Sequence, residues 1–114
     1  MNIMEDIKIV HLKSKQQRVE TWVAMLDGAI VGHIYMDRED HGKIKFLDAW
    51  VSDEHRRKGI YRKLWDTRWE YCKQKYKGWL VYAWCKEKSL PLLLEKGFTS
   101  GEITTYVEKI IEEV

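Results

Sequence analysis

The chain has 114 residues, which is the length of one ordinary domain, and we predict a single domain over residues 1–114. Hydrophobic residues make up 45% and charged residues 33%, a balance typical of folded domains that excludes a disordered or low-complexity chain. The formal net charge of +2 excludes a protein that is basic throughout, as many nucleic-acid binders are.

Compartment and redox state follow from the same composition. No apolar run approaches the roughly 20 residues of a membrane helix, so we expect no membrane segment. Residues 1–10 include Glu5 and Asp6 and lack an apolar block with a cleavage site, unlike a secretory signal. Cys72 and Cys85 have neither disulfide-framework nor zinc spacing, so we expect reduced thiols in a cytoplasmic protein.

The first half of the chain has the pattern of antiparallel strands. A first strand is predicted at residues 3–10. Residues 20–27 alternate between the two faces of a strand, and Asp27-Gly28 is a pair favoured in hairpin turns that need positive φ. Residues 29–36 are then the returning strand of a hairpin. The polar segment 37–42 predicts a loop.

The second half predicts a strand–helix–strand crossover. Residues 43–51 predict a long strand, residues 57–76 a helix, and the apolar residues 79–85 a strand buried on both faces. Residues 88–96 predict a short helix and residues 104–111 a last strand. The order β-ββ-β-α-β-α-β therefore predicts an α/β (α+β) fold, a mixed sheet with helices on its faces.

The long predicted helix has two apolar stripes. One stripe contains Ile60, Leu64 and Tyr71, and the other contains Tyr61, Trp65, Trp69, Cys72 and Tyr76. We expect both stripes to lie in the core, one on the sheet and one under a neighbouring segment. The alternative is that the aromatic stripe meets a partner or a second copy of the chain.

Positive charge is concentrated at the start of this helix. Residues 55–63 include five Lys or Arg and no acid, which leaves the rest of the chain at −3. Such a run is ordinarily a solvated face, but this one contains Gly59, where a ligand can approach the backbone closely. A helix N-terminus, a glycine and several cations together suit a phosphate or pyrophosphate. The segment is neither a Walker-type loop nor a three-glycine dinucleotide fingerprint.

These residues resemble motif A of the GNAT superfamily of N-acetyltransferases, which has the pattern Val-x-Pro-x-x-Arg/Gln-x-x-Gly-x-Gly/Ala. Val51, Arg56 and Gly59 match that pattern, whereas Asp53 replaces the usual Pro and Tyr61 the usual Gly or Ala. Two further segments resemble the family: residues 92–98 are similar to its Tyr-Glu-Lys-x-Gly-Phe segment and residues 106–110 to its closing strand. The resemblance implies a mostly antiparallel GNAT-like sheet.

The resemblance implies acetyl-CoA as co-substrate. Its pyrophosphate would bind backbone N–H groups of residues 56–61, and its pantetheine arm would follow the strand that precedes them, next to a bulge. The implied cofactor-binding residues are Trp50, Val51, Ser52, Arg56, Arg57, Lys58, Gly59, Ile60, Tyr61 and Lys63. Arg62 could also reach a phosphate.

The implied reaction is acetyl transfer to an amine, which needs an N–H donor for the thioester oxygen near Val51 and a base for the amine proton. The family often has this base on the strand that matches residues 43–51, where Lys45, Leu47 and Ala49 are expected to share one face and offer none. Asp48 is the only carboxylate of that strand and is the candidate catalytic residue, with a structural partner of the basic helix start as the alternative. His33 and His41 are alternative proton relays, although each is more often a surface histidine.

No residue is an obvious general acid for this reaction. Leucine occupies position 93, where the family often has a Tyr that protonates the leaving thiolate. Tyr82 and Cys85 are conceivable substitutes, although packing roles are the simpler interpretation.

The family usually has two helices between its first strand and the hairpin, and here only about a dozen residues are available. An open acceptor side follows, so we expect a large acceptor such as a protein amine, or a second copy that supplies the missing wall. Two alternatives stay open. One is a GNAT-fold protein that binds acyl-CoA without efficient catalysis. The other is a small interaction module that uses residues 55–63 on nucleic acid or a protein, which the charge of −3 elsewhere disfavours.

Overall fold

A mixed sheet with helices on one face forms the protein. The computed structural model describes residues 6–13, 17–40, 42–84, 90–100 and 106–112, without the side chains of Asp40 and Asp48. The described strands are β1 (Lys8–Leu12), β2 (Val19–Leu26), β3 (Ala29–Asp40), β4 (Lys43–Val51), β5 (Leu80–Trp84), β6 (Thr99–Ser100) and β7 (Tyr106–Ile110). The helices whose full bounds lie in the described ranges are α1 (Ile60–Lys75) and α2 (Leu90–Glu95), and a 3₁₀ turn at Asp53–His55 precedes α1.

The sheet has the predicted mixed topology. Its strands lie in the order β1-β2-β3-β4-β5-β7-β6. Only β4 and β5 run parallel among the described pairs, and α1 is the crossover between them. The predicted hairpin is confirmed, because Asp27 and Gly28 have φ values of 50° and 80° between β2 and β3. None of the described helices is long and apolar enough to cross a membrane.

Several predicted boundaries were wrong. The segment predicted as a loop at residues 37–42 continues β3 as far as Asp40, because Asp37 and Arg38 pair with Lys45 and Ile44 of β4. The first strand begins at Lys8 rather than at residue 3. Helix α1 begins at Ile60 rather than at residue 57, and β6 was not predicted. The predicted residues 1–5, 85, 88–89, 104–105 and His41 lie outside the described part of the chain.

The core lies between the sheet and α1. Both apolar stripes of α1 contribute buried side chains to it, namely Ile60, Leu64, Trp65, Trp69, Cys72 and Tyr76. An aromatic cluster joins the layers: the Phe46 ring lies 5.7 Å from Trp65, and Phe98, which follows α2, lies 5.6 Å from Trp69. The expectation that both stripes pack in the core is confirmed for these residues.

A buried carboxylate ties the edge of the sheet to the end of α1. Glu20 on β2 is fully buried, and its oxygens lie 2.8 Å from His11 Nε2 and 2.9 Å from Arg38 Nε. The Tyr76 hydroxyl donates a hydrogen bond to the same carboxylate at 3.0 Å. The negative charge of Glu20 thus has partners from β1, β3 and α1, as a buried charge requires.

A bulge changes the direction of the side chains along β4. Ile34 of β3 pairs with Ala49, but its neighbour Tyr35 pairs with Leu47, so Asp48 is an extra residue on β4. Phe46 faces α1 before the bulge and Ala49 packs against the same core after it. The expectation that Ala49 shares a face with Lys45 and Leu47 was therefore wrong, because the extra residue reverses the alternation.

The bulge coincides with the place where β4 leaves β5. The described pairs run from Lys43↔Leu80 to Phe46↔Ala83, and residues 47–51 of β4 have no partner in the part of β5 that the structure describes. We call this unpaired edge of β4, residues 47–51 on the side of β5, the slot. The family resemblance implied a bulge at this place.

The second face of the sheet has no described helix on it. Exposed apolar side chains on this side include Trp50 and Trp84, which are 40% and 51% exposed. Only residues 13–18 join β1 to β2. This segment is too short for the two helices that the family usually has between these strands.

We expect the Cys72 thiol to make stability fall at high pH. Cys72 is fully buried against Met36, and burial raises the pKa of its thiol from 9.0 to about 12. The folded state holds this proton more tightly than the unfolded state, so the thiol's contribution is complete below pH 9 and is lost as pH rises towards 12. Between these values the free energy of unfolding should fall more steeply in the wild type than in Cys72→Ala, by up to about 1.4 kcal/mol per pH unit. Urea unfolding over this range measures both slopes, and equal slopes would contradict the prediction.

Candidate functional site

The loop at residues 52–59, between β4 and α1, has the geometry of an anion site. Arg57 and Gly59 have φ values of 62° and 86°, the left-handed region that favours glycine. The bond from Lys63 N to Gly59 O, 3.0 Å long, is the first of α1, so the N–H groups of residues 60–62 have no partner within the helix. The first turn of α1 contains no acidic residue. Unpaired N–H groups and the positive end of the helix dipole therefore meet here.

A cavity of about 230 Å³ lies at this helix start. Six of the predicted cofactor-binding residues line it, namely Val51, Arg56, Arg57, Gly59, Ile60 and Tyr61. His55 and Arg62 complete the lining. The side chains of Ile60 and Tyr61 pack against the core, so their backbone groups, not their side chains, are available to a ligand.

The cations of the loop differ in how they are engaged. Arg56 Nε donates to Val51 O at 3.2 Å and its Nη1 lies 3.0 Å from Asp53 Oδ1, while Arg62 pairs with Glu95 at 3.0 Å. Arg57 and Lys58 make no hydrogen bond or ion pair with any residue of the described ranges. These two side chains are therefore the ones available to a bound anion.

Four predicted residues lie apart from the cavity. Trp50 is on the open face of the sheet, where its ring stacks on His33 with centroids 5.3 Å apart. Ser52 Oγ lies 2.5 Å from His55 Nδ1, and Lys63 Nζ donates to the Ile7 carbonyl at 3.2 Å. Lys58 is exposed on the loop and does not line the cavity.

Asp48 is the bulged residue of β4, at the edge of the slot between β4 and β5. The catalytic role of Asp48 stays a prediction. The direction of its carboxylate lies outside the described part of the structure.

Titratable side chains of β3 and β5 lie on the open face of the sheet. The Tyr82 hydroxyl donates a hydrogen bond to Glu39, and burial, together with this carboxylate, raises the pKa of Tyr82 to about 12. His33 Nε2 is 3.5 Å from the Tyr35 hydroxyl, and its Nδ1 is buried without a partner in the described ranges. Leu93 is buried in the core and cannot donate a proton. Sequence reasoning missed Glu39, although alternation along β3 places it on the same face as His33 and Tyr35.

The structure also contains a buried cation that sequence reasoning missed. Arg68 of α1 is 2% exposed, and its guanidinium lies 3.6 Å from the Phe46 ring centroid. Burial lowers the pKa of Arg68 to about 9, so the side chain is charged at neutral pH. The signal was an arginine in the row of every fourth residue formed by Ile60, Leu64 and Cys72.

We expect Arg57→Gly to stabilise the protein. A left-handed backbone is strained for arginine and unstrained for glycine, so the free energy of unfolding should rise by about 1 kcal/mol. Lys58→Gly is the matched control, because it removes the same charge where φ is not positive and should lower stability by about 0.5–1 kcal/mol. Thermal unfolding compares the variants, and equal destabilisation by both would contradict the prediction.

Comparisons with known proteins agree with this geometry. The family model of the acetyltransferase (GNAT) family matches residues 4–98. A GNAT acetyltransferase from Staphylococcus aureus is 18% identical, with a TM-score of 0.68 over 84% of this chain and 70% of that one. A GNAT family acetyltransferase from Elizabethkingia anophelis with acetyl-CoA bound is 14% identical, with a TM-score of 0.71 over 95% and 99% of the two chains. The ribosomal-protein-S18-alanine N-acetyltransferase from Escherichia coli is 10% identical, with a TM-score of 0.71 over 98% and 85%.

No curated protein matches the sequence. At these identities the solved structures show a shared fold and no more. The family match is different evidence, because it covers most of the chain, including the loop at residues 52–59 and the segment 92–98. The chain therefore belongs to the acetyltransferase (GNAT) family.

Proposed function

We propose that the protein transfers an acetyl group from acetyl-CoA to an amine, with a protein or another large molecule as acceptor. The observation that supports this most is the helix start beside the slot: unpaired N–H groups, two unengaged cations and a cavity adjoin the place where β4 leaves β5. Coenzyme A combines a pyrophosphate with a long uncharged arm. The pyrophosphate suits the loop at residues 52–59, and the arm suits the slot.

In this proposal the N–H groups of residues 60–62 bind the pyrophosphate, and Arg57 and Lys58 contact its oxygens. The arm follows residues 50–52 along the open edge of β4. Gly32 keeps this region close-packed, since a Cβ there would lie 3.0 Å from the Trp50 carbonyl oxygen and 3.3 Å from Leu64. The structure from Elizabethkingia anophelis, which has acetyl-CoA bound and covers 95% of this chain, supports acetyl-CoA as the ligand.

Acetyl-CoA supplies an activated thioester for the reaction. The bond between acetyl carbon and sulphur breaks, a bond to the amine nitrogen forms, and the thiolate leaves. Backbone N–H groups of β4 past the bulge stabilise the thioester oxygen. Asp48 accepts the amine proton, and Tyr82 is the residue beside the slot that can protonate the thiolate in place of the missing tyrosine at position 93.

The acceptor reaches the slot from the open face of the sheet. Helices cover only the opposite face in the described part of the chain, so this side has no wall to enclose a small amine. A large acceptor fits such a surface, and the Escherichia coli relative of the same fold is named for an alanine of ribosomal protein S18. A second copy of the chain that covers this face is the other way to complete the site.

We expect acetyl-CoA to bind the wild type and not Gly59→Glu, as measured by calorimetric titration. The glutamate adds a negative charge beside the pyrophosphate site and should weaken binding roughly 100-fold or more. Gly42→Glu is the matched control, because φ is 89° at Gly42 and 86° at Gly59, and Gly42 lies in the β3–β4 turn at the other end of β4. Equal weakening by both variants, or no binding by the wild type, would refute the proposal.

A second candidate is a protein that binds acyl-CoA without efficient catalysis, and Leu93 favours it because leucine cannot act as an acid. Turnover distinguishes the two candidates. We expect Asp48→Asn to slow thiol release from acetyl-CoA about 100- to 10,000-fold, with acetyl-CoA affinity unchanged.

The thiol-release assay uses two kinds of acceptor, namely lysine-containing peptides with free N-termini and small amines. Asp53→Asn is the control, since its exposed carboxylate pairs with Arg56 and has no part in the chemistry. Binding of acetyl-CoA by the wild type with no thiol release above buffer would favour the second candidate. Faster turnover with small amines than with peptides would contradict the large acceptor.

A further inference from the structure

We propose that Arg68 is a positioning residue that holds the β4 bulge in place from the core side and so aligns the backbone that would contact the thioester. The catalytic consequence rests on the proposed function, whereas the structural role of Arg68 does not. Arg68 lies outside the loop, the cavity and the slot described above, and it touches no group that would react.

The contacts of Arg68 lie on both sides of the bulge. Its Nη1 donates to the Tyr35 carbonyl on β3 at 2.7 Å and makes a longer contact of 3.4 Å with the Leu47 carbonyl on β4. Tyr35 and Leu47 are the paired residues at which the register shifts, next to the extra residue Asp48. One guanidinium nitrogen therefore bridges the two strands where their ladder is interrupted.

Burial of the charged Arg68 side chain costs free energy, which its hydrogen bonds must offset. Arg68 occupies a row of α1 in which Ile60, Leu64 and Cys72 are apolar and fully or almost fully buried. Its Nε is buried without a hydrogen-bond partner in the described ranges. An apolar residue would fill the row at no such penalty, but it would leave the Tyr35 and Leu47 carbonyls at the bulge without this donor.

The bulge determines which β4 groups face the slot. With the extra residue, Ala49 and Val51 pack against the core and Trp50 lies on the open face. Loss of the bulge would shift the register by one residue and exchange these positions. The N–H groups past Asp48 would then change direction, including those that would contact the thioester oxygen.

Two aromatic rings contact the guanidinium itself. Its central carbon lies 3.6 Å from the Phe46 ring centroid and 5.5 Å from that of Trp65. Phe46 is on β4 and Trp65 on α1, so these contacts fasten the guanidinium between the strand and the helix. A lysine keeps the charge but offers neither the planar stacking nor the fixed donor geometry.

Amide hydrogen exchange on the full chain without ligand tests the structural role. In Arg68→Met the amides of residues 35 and 47–49 should exchange roughly 10-fold faster or more, relative to those of Val81 and Val107 in the β5–β7 pair. Cys72→Ala is the matched control, because Cys72 is equally buried one turn further along α1 and its thiol contacts Met36 rather than Tyr35 or Leu47. General destabilisation accelerates all of these amides together, and the control should show only that.

Uniform acceleration in Arg68→Met, or none at the bulge, would overturn the proposal. If Arg68→Met does not fold, Arg68→Lys is compared in the same way, and it too should show faster exchange confined to the bulge. Uniform exchange in that variant would likewise overturn the proposal.

The carbonyl stretch of bound acetyl-CoA, labelled with ¹³C at the acetyl carbonyl, tests the catalytic consequence. Hydrogen bonds to the thioester oxygen should lower this frequency in the wild type, and Arg68→Met should return it towards the free value. Coenzyme A affinity should be unchanged, because the loop at residues 52–59 is intact, while kcat falls about 100-fold. An unchanged frequency and kcat would refute the positioning role.

Absence of acetyl-CoA binding by the wild type would refute the proposed function instead. The exchange measurement would then still decide whether Arg68 holds the bulge.

Discussion

The rest of the structure depends on one constraint: β4 pairs with an antiparallel strand, β3, on one side and a parallel strand, β5, on the other. β4 is antiparallel to β3 along its whole length, but it is parallel to β5 only as far as Phe46. The extra residue at Asp48 lies just past the last described pair of β4 with β5, while pairing with β3 continues to Val51. Because the extra residue reverses the side-chain alternation, Phe46 and Ala49 both pack on the core, which stays continuous past the slot.

Much of the fold could be predicted because its signals are local. Asp27-Gly28 fixes a hairpin through backbone conformation, and the two stripes of α1 follow from helical spacing. The end of β3 was missed because Asp37 and Arg38 look like loop residues. They are held in the strand by pairing with Lys45 and Ile44, which are distant in sequence. The two-residue strand β6 depends in the same way on β7, and no local pattern indicates it.

The candidate site was predictable in kind and less so in detail. Gly59 among cations indicated an anion-binding helix start, and the structure places most of the predicted residues around one cavity. The sequence could not separate engaged from available cations, because the partners of Arg56 and Arg62 are set by tertiary structure. The left-handed backbone of Arg57 was equally hidden, since nothing in an arginine-rich run indicates a positive φ.

Helix α1 connects the two parts of the site. Its first residues form the proposed anion-binding end, and Arg68, two turns later, reaches the bulge. Nine residues separate Gly59 from Arg68, which corresponds to roughly 13 Å along a helix at 1.5 Å per residue. A helix packed on the sheet by Leu64 and Trp65 between these points transmits little flexibility. The distance between the proposed phosphate-binding end and the bulge is therefore set by one rigid element, although the loop that joins them in sequence is irregular. Because α1 sets the position of Arg68, the strained backbone of Arg57 in the loop leaves the geometry of β4 unchanged.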